Sequence, residues 1–222
     1  MNENLTEIIC VLDRSGSMTK TKEDAIGGFN TFLEEQKEVE GEATMTLVLF
    51  DTAYDIIEDG TDIQEVSPLD DTTFVPRGMT ALYDAVGRTI DSVGVRLSKT
   101  AEKDRPGKVI FVILTDGAEN SSREYTGLRI KDMITHQSET YQWEFLFLGA
   151  NINAELVAGD MGIAKGSAVT YTADSHGTHK AYNSVGQAVR SYRMGGAVDP
   201  NWSGAIAPDG DDDGSDTDTS AK

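Results

Sequence analysis

Asp13-Arg14-Ser15-Gly16-Ser17 and Thr115-Asp116-Gly117 each follow an uninterrupted apolar run, Ile8–Leu12 before the first and Val109–Leu114 before the second. A third segment, Arg77-Gly78-Met79-Thr80, precedes a stretch with helical patterning. Together these segments offer two carboxylates, Asp13 and Asp116, and three hydroxyls, Ser15, Ser17 and Thr80. All five are hard oxygen donors, with no thiolate and no imidazole. Such a set suits Mg²⁺, Mn²⁺ or Ca²⁺ better than zinc or copper. Gly16 and Gly78 would let the backbone turn sharply beside them. Each residue also has a plainer reading. Ser and Asp are common turn residues, and Thr80 is well placed to N-cap a helix that begins at Ala81. Arg14 and Arg77 fall on the same rim, where they would either steer an acidic partner or offset the neighbouring carboxylates.

The elements that must carry these segments alternate between two periodicities. Ile8–Leu12, Thr44–Phe50, Val109–Leu114 and Phe145–Leu148 are short apolar runs that suit strands buried on both faces, and Val169–Tyr171 is a shorter candidate. Tyr54–Ile57 follows Phe50 so closely that it reads as a hairpin partner and an antiparallel edge strand. Between the runs, Leu82, Ala85, Val86, Ile90, Val93 and Leu97 recur at offsets 0, 3, 4, 8, 11 and 15, one face of a helix. Ala25–Leu33, Ile130–Ile134, Ile152–Val157 and Ala181–Tyr192 predict four more helices. Alternation of this kind implies a doubly wound α/β sheet with helices on both faces. Ligands of such sheets bind beyond the carboxyl ends of the strands, at a switch point, and the Asp13 and Asp116 segments both leave the carboxyl end of a predicted strand.

The pattern D-x-S-x-S, then Thr80 within G-x-T-x-L-x-D-A, then T-D-G resembles the metal-ion-dependent adhesion site (MIDAS) of von Willebrand factor A (VWA) domains. The match falls on Asp13, Ser15, Ser17, Thr80 and Asp116, and the order of elements fits from residue 5 to about residue 194. The resemblance implies a mostly parallel sheet of six strands with one antiparallel edge. It implies hydroxyl ligands from Ser15, Ser17 and Thr80, with negative charge from Asp13 and Asp116. It also implies a divalent cation, Mg²⁺ or else Mn²⁺ or Ca²⁺, with a coordination position open to a Glu or Asp of a partner protein. Arg14, Arg77 and Gly78 would form the partner-binding rim. Intracellular relatives of this kind often accompany AAA+ ATPases, so such an ATPase is one candidate partner. The expected activity is metal-dependent protein binding rather than catalysis. The alternative is an assembly protein that uses the same fold for self-association, the metal only stabilising it. Haloacid-dehalogenase-like phosphatases resemble the layout around Asp13, but they place a second Asp where this chain has Ser15, a poor general acid.

Composition narrows the remaining classes. The 222 residues carry 38 acidic and 19 basic side chains, a net charge of −19, which opposes nucleic-acid and anionic-membrane binding. One cysteine excludes an internal disulfide framework, and no run is long and apolar enough to span a membrane, so the expected setting is cytoplasmic. The expected organisation is a domain over residues 1–194 and a flexible acidic Gly/Asp-rich tail over 195–222. In that tail Asp209, Asp211, Asp213 and Gly214 copy half of an EF-hand loop without its final Glu. Trp202, within the same segment, is a candidate exposed docking residue. His176 and His179 are spaced to share a metal but lack a visible third ligand.

Overall fold

The computed structural model describes residues 1–206. The EF-hand-like spacing at Asp209–Gly214 lies outside them. In chain order the elements are β1 (Asn2–Asp13), α1 (Lys22–Lys37), β2 (Glu42–Phe50), β3 (Tyr54–Asp62), α2 (Leu82–Lys99), β4 (Pro106–Thr115), α3 (Gly127–Tyr141), β5 (Glu144–Ala150), α4 (Ala154–Asp160), β6 (Ala168–Tyr171) and α5 (Ser175–Gly195). Short 3₁₀ turns occupy Gly16–Lys20, Glu102–Asp104 and Lys165–Ser167. The strands form one six-stranded sheet in the order β3-β2-β1-β4-β5-β6. All neighbours are parallel except β2 and β3, so the hairpin strand is the antiparallel edge that its spacing predicts. Strand order reverses between β1 and β4, where Leu12 lies beside Leu114. That crevice is the topological switch point.

Alternation along β1 divides the apolar run between two cores. Ile8, Cys10 and Leu12 face α1 and α5, together with Phe29, Phe32, Leu33, Val185 and Val189. Ile9 and Val11 face the other way, toward Leu82, Val86, Ile90 and Val93 of α2, Ile130 and Ile134 of α3, and Ala154 of α4. Each fully buried Leu, Ile or Val contributes about 1.5–3 kcal/mol of transfer free energy, which makes both layers necessary for a strand this apolar. Of the Gly27-Gly28 pair inside α1, packing accounts for Gly28: a Cβ there would lie 2.3 Å from the Tyr182 ring of α5, whereas one on Gly27 would meet nothing. Gly28 permits the close approach of the two helices.

Two features depart from the sequence-based expectations. β1 starts at Asn2, six residues before the apolar run, because Glu7 is buried with partners. Its carboxylate accepts from Thr44 Oγ1 (2.7 Å), Thr46 Oγ1 (2.6 Å) and the Arg96 guanidinium (2.7 Å). Packing also continues past residue 194. Trp202 and Ile206 are buried against the α1/α5 core, and Trp202 Nε1 donates to the Gly166 carbonyl at 2.9 Å. The expectation of an exposed Trp202 is thereby corrected: its ring has found apolar cover and its N–H an acceptor.

Candidate metal centre

Strand pairing brings the two carboxylates together. Asp13 ends β1, Thr115 ends β4, and these strands are adjacent. The Thr115 hydroxyl donates to Asp13 Oδ2 at 2.6 Å, and Ser15 N–H donates to Asp13 Oδ1 at 2.7 Å. Both carboxylate oxygens of Asp13 are therefore engaged by protein donors behind the loop. Burial pushes the Asp13 carboxyl up to about 6, against the lowering effect of those donors, and the charge of nearby Asp116 adds to the rise. Burial likewise raises the Asp116 carboxyl, although its hydrogen bond from Ser17 opposes this.

In front of Asp13, oxygens from two loops gather. Ser17 Oγ donates to Asp116 Oδ1 at 2.6 Å, Ser15 Oγ lies 3.5 Å from the same oxygen, and the two hydroxyls are 3.0 Å apart. An octahedral cation with metal–oxygen distances of about 2.1 Å has neighbouring ligand oxygens about 3.0 Å apart. The Ser15, Ser17 and Asp116 triangle thus has nearly the dimensions of one octahedral face, and its donor chemistry suits a hard cation. Thr80 approaches from a third loop. Its hydroxyl is 3.2 Å from the point where a Cβ on Gly117 would stand, directly after Asp116. Thr80 does not act as the helix cap. The N-cap of α2 is Ala81, without a side-chain cap bond, so the Thr80 hydroxyl is not spent on the helix.

The loops that carry these groups are tied to one another. Arg14 N–H donates to the Phe50 carbonyl (2.8 Å), Arg77 N–H to the Arg14 carbonyl (2.9 Å) and Gly16 N–H to the Gly78 carbonyl (3.2 Å). Gly78 has φ +67°, and a Cβ there would come within 2.8 Å of Thr52 Oγ1. Beneath this lattice Arg14 and Arg77 share two carboxylates. Asp51 Oδ2 accepts from Arg14 Nε at 2.9 Å and Arg77 Nε at 3.1 Å, and both guanidinium groups also reach Asp55. Burial alone would raise the Asp51 carboxyl, but the Ala53 N–H and the two guanidinium groups hold it below the usual carboxylate value. Both guanidinium groups are therefore engaged by Asp51 and Asp55. Arg14 is buried and serves local charge balance. Arg77 is half exposed and takes part in the same cluster.

Several residues of this region carried no signal of their own in the sequence. Thr115 holds Asp13, while Asp51 and Asp55 hold the arginines. Asn120, Glu119 and Asp84 bind the loop after β4 to the start of α2. Two of them stood inside recognised motifs, Thr115 in T-D-G and Asp84 in G-x-T-x-L-x-D-A, but only Asp116 and Thr80 of those motifs had been assigned a role. Asp70 and Asp71 make contacts of their own in the loop before Thr80. The former accepts from the N–H and hydroxyl groups of Thr72 and Thr73, and the latter pairs with Lys22 at 2.7 Å. His179 stands 3.7 Å from Asp24, and no group of three His, Cys, Asp or Glu residues is placed to hold a metal ion among the described residues.

No family model matches the chain, and no curated protein matches it by sequence. Solved structures match it in shape. Proximal thread matrix protein 1 of the mussel byssus aligns over 86% of this chain with TM-score 0.58 and 13% identity, covering 47% of that chain. The same mussel protein has been solved with zinc in its MIDAS motif. The ArnB paralog VWA2 of Sulfolobus acidocaldarius aligns over 84% with TM-score 0.52 and 16% identity, covering 45% of that chain. The vWF domain of the type V pili tip protein Mfa5 of Porphyromonas gingivalis aligns over 83% with TM-score 0.56 and 10% identity, covering 94% of that chain. The chain thus spans about half the length of the first two proteins and nearly the whole of the third domain. The likeness at these identities is one of fold, and the chain has the VWA fold.

Proposed function

We propose that this chain is a divalent-metal-dependent protein-binding module in which an acidic side chain of a partner completes the coordination begun by its own oxygens. The observation that carries this reading is the Ser15, Ser17 and Asp116 oxygen triangle, 2.6 to 3.5 Å on its edges, set at the switch point of the sheet. Ser15, Ser17 and Thr80 would be the neutral ligands, Asp116 the charged one, and Asp13 the charge behind them. A bound divalent cation would supply electrophilic character undiminished by a ring of carboxylates, and so favour one more carboxylate from outside. The arrangement offers little for catalysis. The position that would hold a general acid beside Asp13 is Ser15, and none of the three histidines is among the hydrogen-bond partners of the centre.

Mg²⁺ is the expected ion, with Mn²⁺ and Ca²⁺ as alternatives on the hardness of the ligands. The zinc seen in the mussel protein makes Zn²⁺ the comparison to include. Calorimetric titration of the four ions against the wild type and Asp116→Ala tests the site, with binding to the former and none to the latter expected. Capture of a protein partner in Mg²⁺ but not in EDTA, lost in Asp116→Ala, tests the function; an AAA+ ATPase is one candidate for what is captured. A metal-dependent change of oligomeric state with no captured partner would favour the assembly reading instead.

A further inference from the structure

The loop that follows β4 and the first turn of α2 are stitched together in both directions. Asn120 N–H donates to the Thr80 carbonyl at 3.0 Å, and Thr80 N–H donates to Asn120 Oδ1 at 2.9 Å. Glu119 Oε1 accepts the N–H groups of Ser121 (2.8 Å) and Ser122 (2.7 Å). Its Oε2 accepts the Ser122 hydroxyl (2.7 Å) and, across the gap, the N–H of Tyr83 (2.9 Å). Asp84 answers from the helix, accepting the N–H groups of Arg123 (2.8 Å), Glu124 (2.9 Å) and Tyr125 (2.9 Å). Its own N–H donates to Ser122 Oγ at 3.0 Å. The Tyr125 ring then closes over Gly87, where a Cβ would lie 2.3 Å from it.

All four carboxylate oxygens of Asp84 and Glu119 are thus taken by the chain's own donors. They are not candidates to touch a cation. What they join is the segment bearing Thr80 and the segment bearing Asp116. The Ser15–Ser17 turn is held separately, through Gly16 N–H and the Gly78 carbonyl at 3.2 Å.

We propose that Asn120, Glu119 and Asp84 are positioning residues that set the ion selectivity of the centre, an inference that rests on the metal-site reading of Thr80 and Asp116. Mg²⁺ demands near-ideal octahedral geometry at about 2.0–2.1 Å, whereas Ca²⁺ accepts about 2.3–2.6 Å in flexible arrangements. A rigid link between two ligand loops favours the small ion, because it prevents the loops from spreading. Loosening the link lowers affinity for Mg²⁺ far more than for Ca²⁺.

The test is competition of Mg²⁺ and Ca²⁺ against Mn²⁺, read by the water-proton relaxation of bound Mn²⁺, on the full chain. Asn120→Ala and Glu119→Gln are expected to reduce the ratio of the Ca²⁺ to the Mg²⁺ dissociation constant about tenfold, the scale of outer-sphere effects on metal sites. Asn120→Asp keeps the acceptor for Thr80 N–H and is expected to keep the wild-type ratio. Arg96→Ala, remote from these loops, controls for lost stability and should lower the melting temperature without moving the ratio. Equal loss of both affinities in Asn120→Ala, or an Asn120→Asp ratio as altered as that of Asn120→Ala, overturns the proposal. Absence of Mn²⁺ binding by the wild type overturns the metal-site reading itself, and this inference with it.

Discussion

Asp13 lies at the heart of the proposed centre, and its environment separates its role in the fold from its proposed role toward a cation. The carboxylate is 2% exposed and held by Ser15 N–H and the Thr115 hydroxyl. An asparagine could keep both contacts: its oxygen would accept from Ser15, and its amide would donate to Thr115 Oγ1, whose proton can turn to the Gly117 carbonyl at 2.9 Å. Asp13→Asn should therefore melt at the same temperature as the wild type, or higher, in EDTA at pH 7.5. If the proposed centre binds Mg²⁺, the ion should raise the melting temperature of the wild type and not that of this variant; scanning fluorimetry reads both. Gly78 makes a different demand, on backbone rather than charge. With φ +67° and Thr52 Oγ1 2.8 Å from any Cβ, Gly78→Ala is expected to destabilise by about 1–3 kcal/mol in urea titration.

At the scale of elements, polar side chains decide where strands and loops can go. The six polar-rich residues before Ile8 join β1 because Glu7 finds Thr44, Thr46 and Arg96. Removing the guanidinium leaves a buried carboxylate with two hydroxyls, so Arg96→Ala should cost about 3 kcal/mol in chemical denaturation. Asp84 ties the β4 loop to α2 in a similar way. Burial works to raise its carboxyl, but three backbone N–H groups outweigh it and hold the carboxyl below its ordinary 3.8. A depressed value means stability that is fully present above pH 3.8 and is lost as pH falls through the folded-state value. Asp84→Asn should thus be less stable than the wild type at pH 7, and the difference should shrink in acid titrations below about pH 4.

The whole molecule closes its α1/α5 layer with residues that sequence reading had assigned to a loose tail. Trp202 is 5% exposed and joins the same core as Ile206, Tyr192 and Phe32. Trp202→Ala should cost about 3–5 kcal/mol. Truncation after residue 194 removes Trp202 and Ile206 and should destabilise the domain, which thermal melts of the truncated and full chains compare. No helix among the described residues is long and apolar enough to cross a membrane.

What could be read without coordinates was what neighbouring residues decide among themselves. Continuous apolar runs identify buried strands, 3.6-residue spacing identifies helices, and a hairpin identifies the antiparallel edge, because each depends on a window of a few residues. The oxygen-rich segments and their place at strand ends follow from the same local reading. Tertiary structure decided what depends on partners far along the chain. Arg14 turned inward because Asp51 and Asp55, 37 and 41 residues away, lie beside it in space. Likewise Glu7 could be buried only once Arg96, 89 residues on, arrived to pair with it. Nothing in the spacing of Glu119 or Asp84 marks them as acceptors for backbone N–H groups rather than as ligands. A carboxylate's role is set by which donors reach it first, and chain folding, not local sequence, brings those donors within range.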